Sequence, residues 1–294
     1  MLNYNLALKY IEDNLTDEIN MEEAAKKACC SPYYFQRIFS YMSGMTLSEY
    51  IRKRKMSMAA VDIQNGEKIL DTAIKYGYNS PTSFNRAFQS VHQTPPSSLK
   101  ASSVKVKSYP PISFKLTIKG AKEMNYRIEK RTCFRIVGKS IPMFGEIEKN
   151  MEIIPSFWNK SAVDGTIEKL CPVMNGDIKG MMGVCDCASP NNMKYFIAVN
   201  SHSDIPEDME EYIVAERTWA VFYGEGECPS AIQNLEKDIY TDWLPSSGYE
   251  YDNGPDIELY FEPDPQNAKF EVWIPVKREC ETFSVNNVLE GLLW

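Results

Sequence analysis

Residues 31–39 read SPYYFQRIF and residues 80–88 read SPTSFNRAF, two copies of the pattern Ser-Pro-x-x-Phe-x-Arg-x-Phe in one chain. Serine is a favoured helix N-cap and proline suits the first helical position, so each copy predicts a helix start. Apolar residues then recur at i, i+3, i+4 and i+7. They are Phe35, Ile38, Phe39 and Met42 in the first copy, and Phe84, Ala87, Phe88 and Val91 in the second. Each helix thus has one stripe to bury. The other side carries Tyr33, Gln36 and Arg37 in the first copy, and Thr82, Asn85 and Arg86 in the second.

A short helical segment precedes each copy, MEEAAKKA (21–28) and ILDTAIKY (69–76), and a brief turn joins the pair. Helix, tight turn and helix with polar outward residues is a helix-turn-helix pattern, here present twice. Between the copies, TLSEYIRKRKMSMAAVDIQNG (46–66) reads as a long helix stopped at Asn65-Gly66. The chemistry suits duplex DNA. Arginine bonds both acceptors of a guanine edge, and Gln or Asn does the same for adenine. The basic run Arg52 to Lys55 is suited to phosphate contacts.

Residues 1–100 therefore resemble the DNA-binding domain of the AraC/XylS family of transcription regulators, and VHQTPPSSL (91–99) matches that family's closing signature. The resemblance implies two recognition helices in successive major grooves of promoter DNA. It places DNA contacts on Tyr33, Gln36, Arg37, Thr82, Ser83, Asn85 and Arg86. It also implies RNA polymerase as a partner.

The chain of 294 residues has a formal net charge of -8, unevenly spread. Residues 1–105 hold 13 Lys and Arg against 10 Asp and Glu, and the remainder 19 against 30. Such asymmetry predicts two domains with different partners. The start lacks a basic region followed by an apolar core, and no apolar run reaches the roughly eighteen residues of a membrane span. A cytoplasmic protein without membrane partners is expected.

A second repeat organises the acidic part. YRIEKRTCFRIVG from Tyr126 and YIVAERTWAVFYG from Tyr212 share Tyr, Arg-Thr and Gly at one constant offset. Each reads as two short strands. A helical segment ending in tryptophan follows, EIEKNMEIIPSFW (146–158) or PSAIQNLEKDIYTDW (229–243), with Pro155 expected to kink or divide the first. Each half closes on two more strands, at 182–185 and 194–199, and at 257–260 and 269–276. The expected fold is an all-α DNA-binding domain with two helix-turn-helix units, followed by an α+β domain of two pseudo-repeated strand-strand-helix-strand-strand halves. The expected boundaries are 1–107 for the first domain, 108–123 for a linker, 124–280 for the second domain and 281–294 for a C-terminal tail. Alternating residues in the bridging stretch 101–120 suggest a further strand.

The second domain resembles the GyrI-like effector-binding domain of Rob-type and BmrR-type regulators, through its paired halves and its ending FEVWIPVK. That resemblance implies a small-molecule effector, with an acid on the penultimate strand and an aromatic on the last lining the pocket. By motif these are Glu258 and Trp273, which replace Gly183 and Ala198 of the first half. Tyr260, Trp158, Trp219 and Glu271 are further candidates for the wall. A carboxylate among aromatic rings suits a cationic or amphipathic aromatic ligand.

Two other readings stay open at this point. Glu258 and Tyr260 have the chemistry of an acid/base pair, as in a small-molecule hydrolase, but the chain has no G-x-S-x-G elbow. Cys185, Cys187 and His202 suggest a thiol or metal sensor, although the eight cysteines lack zinc-knuckle spacing. No cofactor, metal or catalytic residue is expected.

Overall fold

The computed structural model describes residues 2–100, 104–115, 123–187, 192–262 and 264–278. The expected tail 281–294 lies outside them.

Helix α1 (Leu2–Asp13) opens the chain, followed by α2 (Met21–Lys27), α3 (Pro32–Ser43), α4 (Leu47–Gln64), α5 (Ile69–Lys75) and α6 (Pro81–His92). The caps form as their residue types require. Ser31 Oγ accepts from Tyr34 N at 3.3 Å, Ser80 Oγ from Ser83 N at 3.1 Å and Thr46 Oγ1 from Glu49 N at 3.2 Å. Helix α3 ends on Gly44 in the left-handed region at φ 70°, where glycine pays no Cβ penalty. The two repeats build two cores. Phe35 and Phe39 pack with Ala7, Leu8, Ile11, Ala24 and Tyr50. Phe84 and Phe88 pack with Met56, Ala59, Ala60 and Val91. Helix α4 contributes to both and so joins the two units.

Residues 104–115 form no strand. Their alternation instead presents one side to the helices. Val104, Val106 and Tyr109 pack on the second core, and Ile112 and Phe114 on the first. Main-chain bonds fasten the segment: Tyr109 N to Ser57 Oγ at 3.0 Å, Ile112 N to Tyr50 OH at 3.1 Å and Phe114 N to Asn5 Oδ1 at 2.8 Å.

The second domain runs β1 (Tyr126–Arg131), β2 (Phe134–Pro142), α7 (Ile147–Val163), α8 (Thr166–Leu170), β3 (Met181–Asp186) and β4 (Lys194–Asn200). Its second half adds β5 (Glu210–Val214), β6 (Arg217–Gly226), α9 (Ser230–Asp238), β7 (Tyr249–Tyr251), β8 (Asp256–Tyr260) and β9 (Ala268–Arg278). Every adjacent pair of strands is antiparallel, in the order β1-β6-β9-β8-β3-β4-β2-β5, with β7 added to β9. The two halves are related about the central β3–β8 pair, and the first strand of the first half pairs with the second strand of the other.

Helix α7 runs as one helix from Ile147 to Val163 with Pro155 inside it, so the proline does not divide it. Pro155 is exposed, so the carbonyl deprived of its helical donor can turn to water. Helix α9 and the turn after it bury the expected stripe, with Ile232, Ile239 and Trp243 in the core and Leu235 packed against it.

Candidate functional site: an acid-lined sheet face and two repeated helices

On β8 the side chains alternate. Ile257 and Leu259 join the apolar cluster of Trp219, Trp273, Val184 and Phe196. Asp256, Glu258 and Tyr260 take the other face, where α9 contributes Glu236 and α7 contributes Trp158.

Glu258 is half-buried, and the groups packed around its carboxylate penalise its charge. Its Oε2 accepts hydrogen bonds from Tyr195 OH and Tyr260 OH, both at 3.0 Å. Trp158 Nε1 donates to Tyr195 OH at 2.8 Å, and the Trp158 ring meets Tyr260 edge-on at 5.3 Å. Gly183 stands opposite Glu258 across β3 and β8. The space it leaves is taken by the Tyr195 hydroxyl, since a Cβ at Gly183 would lie 2.2 Å from that oxygen. Among the described residues no Lys or Arg forms an ion pair with Glu258. Burial, then the neighbouring Glu236 carboxylate, push its pKa up to about 7, while Arg37 and the two tyrosines pull against them. Asp256 is pushed up to about 6, by burial first, with Arg37 opposing.

The cation beside these acids comes from the other domain. Arg37 on α3 places Nη1 2.7 Å from Asp256 Oδ2, and its Nη2 pairs with Glu236 Oε1. The guanidinium also lies over the rings of Tyr240 and Tyr41, at 5.6 and 5.9 Å. Tyr41 OH donates to Glu236 Oε2 at 2.6 Å. Gln36 Nε2 donates to the Gly145 carbonyl at 2.9 Å. Tyr34 stacks on Tyr251 with ring centres 3.6 Å apart, and Tyr33 packs among Met143, Cys185, Cys187 and Tyr195. Tyr33, Gln36 and Arg37 retain only 6, 8 and 8 % of their exposure.

On α6 the matching positions are open. Thr82, Ser83 and Arg86 are exposed, and Asn85 is half-buried while accepting from Gln89 Nε2 at 3.3 Å. Of the basic run, Arg52 alone is exposed. Arg54 is buried in a fork on Glu12 at 2.7 to 3.0 Å, Lys53 pairs with Glu49 at 2.6 Å, and Lys55 donates to the Tyr76 carbonyl. Arg54 thus holds α1 against α4 rather than facing a phosphate.

Three wall candidates lie elsewhere. Trp273 pairs with Ile257, not with Glu258, and so sits on the opposite face of the sheet. It is 1 % exposed, with its ring 5.9 Å from that of Trp219, which is fully buried. Glu271 shares that face. Arg127 grips its carboxylate with two bonds of 2.6 and 3.0 Å, and Trp273 Nε1 donates to it at 2.8 Å. Glu258, Tyr260 and Trp158 are brought together, and Trp273, Trp219 and Glu271 are not. The sequence reading missed Glu236, Tyr195 and Tyr240. Glu236 did carry a signal, because it falls within the apolar stripe of α9, where an acid needs a partner.

Cys185 and Cys187 sit side by side, their sulfurs 3.2 Å apart, whereas His202 is exposed. Among the described residues no group of His, Cys, Asp and Glu is arranged to hold a metal, and no helix is long and apolar enough to cross a membrane.

Comparison with known proteins places both halves. Residues 127–276 match the family of integron-associated effector binding proteins, and residues 24–102 match a helix-turn-helix domain family. The regulatory protein SoxS of Salmonella typhimurium is 35% identical over 91 residues, which span 31% of this chain and 85% of SoxS. The transposon Tn10 TetD protein of Escherichia coli is 40% identical over 91 residues, 31% of this chain and 66% of TetD. The structure of SAV2435 bound to tetraphenylphosphonium aligns with a TM-score of 0.47 and 25% identity, over 52% of this chain and 94% of that one. The repeated Ser-Pro-x-x-Phe-x-Arg-x-Phe helices and the two-half antiparallel sheet are thus those of an AraC-type transcription regulator, a homologue of SoxS and MarA, whose second domain belongs to the integron-associated effector binding protein family.

Proposed function

We propose that the second domain senses a lipophilic aromatic cation, with Glu258 as its counter-charge and Trp158, Tyr195 and Tyr260 as its aromatic wall. The observation that carries this is the state of Glu258: half-buried, desolvated by its surroundings, held by two phenol hydroxyls, with no ion-paired cation of its own among the described residues. A buried carboxylate without such a partner is costly, and an incoming cation offsets that cost. Aromatic faces add about 0.5–2 kcal/mol of cation–π attraction. A cation also favours the ionised acid and so draws the Glu258 pKa down from about 7.

The first domain, in this reading, contacts promoter DNA through Thr82, Ser83, Asn85 and Arg86 of α6 and Tyr33, Gln36 and Arg37 of α3. The chain acts in the cytoplasm as a regulator that recruits or positions RNA polymerase and catalyses no reaction. Tetraphenylphosphonium, the compound bound in SAV2435, is a suitable probe. Calorimetric titration of the full-length protein should give a saturable isotherm that weakens at least tenfold in Glu258→Gln. Equal affinity in the two proteins would remove Glu258 from the site.

A further inference from the structure

Helices α3 and α6 carry the same motif, and Arg37 and Arg86 occupy the same place in it. One is buried and the other exposed. The helices themselves do not account for that contrast, since both begin on a Ser cap with proline in the first turn. What differs is the second domain. Tyr34 and Ile38 of α3 belong to the same buried cluster as Phe222, Ile239, Tyr240 and Phe270. Glu236 and Asp256 hold the Arg37 guanidinium from either side.

We infer that α3 and the effector are alternative occupants of the acid-lined face of the second domain, so that the form with α3 docked is silent and effector and DNA both bind the form with α3 released. This rests on the effector reading proposed above.

The chemistry of the present occupant supports it. A guanidinium held by two carboxylates with the Tyr240 ring above it is what an acid-and-aromatic site does with a cation. Asp256 and Glu258 are two positions apart on one strand and point the same way, a separation of about 7 Å. A cationic ligand at Glu258 therefore repels Arg37 across a low-dielectric gap, and it draws on Glu236, the carboxylate that already pairs with Arg37 and acts on Glu258. Tyr33, Gln36 and Arg37 meanwhile cannot read a major groove while they are 6 to 8 % exposed. Both ligands need α3 released. When two ligands favour the same minor state, each raises the affinity for the other by the same factor, bounded by the inverse of that state's population.

The test uses the full-length protein and follows hydrogen exchange of the α3 amides, residues 32–43. Saturating tetraphenylphosphonium should speed exchange in α3 while β6 and β9 stay protected. Glu236→Gln should do the same without ligand, and Asp256→Asn serves as a second variant should the first misfold, with β6 and β9 protection as the check on folding. Affinity for a duplex selected by Glu236→Gln from a random-sequence pool should be at least tenfold higher in that variant than in the wild type. Tetraphenylphosphonium should close most of that gap for the wild type. Calorimetric binding of tetraphenylphosphonium with α3 protection unchanged would overturn the exclusion while leaving the effector reading intact. Absence of tetraphenylphosphonium binding to both wild type and Glu236→Gln would overturn the effector reading and this inference with it.

Discussion

Gly183 faces Glu258 across the central strand pair, and the Tyr195 hydroxyl fills the place where a side chain at 183 would stand. The glycine is what lets the phenol reach the acid. In Gly183→Ala the new methyl would lie 2.2 Å from that oxygen and 2.8 Å from Glu258 Oε2. Overpacking of this kind costs about 1–3 kcal/mol, read as a lower melting temperature. The double variant Gly183→Ala/Tyr195→Phe should recover part of the loss, because it removes the nearer clash.

Glu258 and Asp256 hold their protons more tightly in the folded protein than in the unfolded chain. That contribution stabilises the fold fully in acid, and it is lost as pH rises through about 6 for Asp256 and about 7 for Glu258. Glu258→Gln, which mimics the protonated acid, should therefore stabilise the ligand-free protein at pH 8 by about 1–2 kcal/mol. The advantage should shrink as pH falls and vanish only below the ordinary glutamate pKa of about 4.3. Thermal melts of both proteins across that range check it. Tetraphenylphosphonium affinity should move oppositely, rising with pH in the wild type as Glu258 ionises and staying flat in the variant.

Trp273→Phe separates the two faces of the sheet. It deletes the indole donor to Glu271 and reduces the aromatic face under the Arg131 guanidinium, 5.0 Å away. A cost of about 1–3 kcal/mol in stability is expected, with tetraphenylphosphonium affinity within twofold of wild type. Trp158→Phe should do the reverse. It should weaken the cation while costing less stability, since Trp158 is only half-buried.

The misplacement of Trp273 shows where the sequence stops being legible. Alternation identifies which residues of one strand share a face, and it placed Asp256, Glu258 and Tyr260 together. It says nothing about which face of β8 matches which face of β9. The turn between the strands decides that, and it pairs Glu258 with Val272. The repeated caps, the stripes of α3, α6 and α9, and the four strands of each half follow from local pattern, and the structure has them. The burial of Arg37 does not follow from local pattern. Its motif is the same as that of exposed Arg86, and the partners that capture it lie some two hundred residues away on α9 and β8.

Arg86→Ala should lower affinity for the selected duplex by about 1–3 kcal/mol and leave the melting temperature unchanged, because the side chain is exposed. Anisotropy titrations at fixed salt measure the first, and thermal melts the second. Arg37→Ala should instead change both, since it leaves Glu236 and Asp256 without their cation.

The strap formed by residues 104–115 has a further consequence. Phe114 is fastened to Asn5, and only eleven residues of sequence separate it from Tyr126 at the start of β1. A tether that short keeps a released helix at an effective concentration in the millimolar range beside the cleft it left. An effector therefore competes with a locally concentrated rival, not with a dilute one. Tether length then sets the dose at which the protein responds, and chains with longer joints would answer to fainter signals.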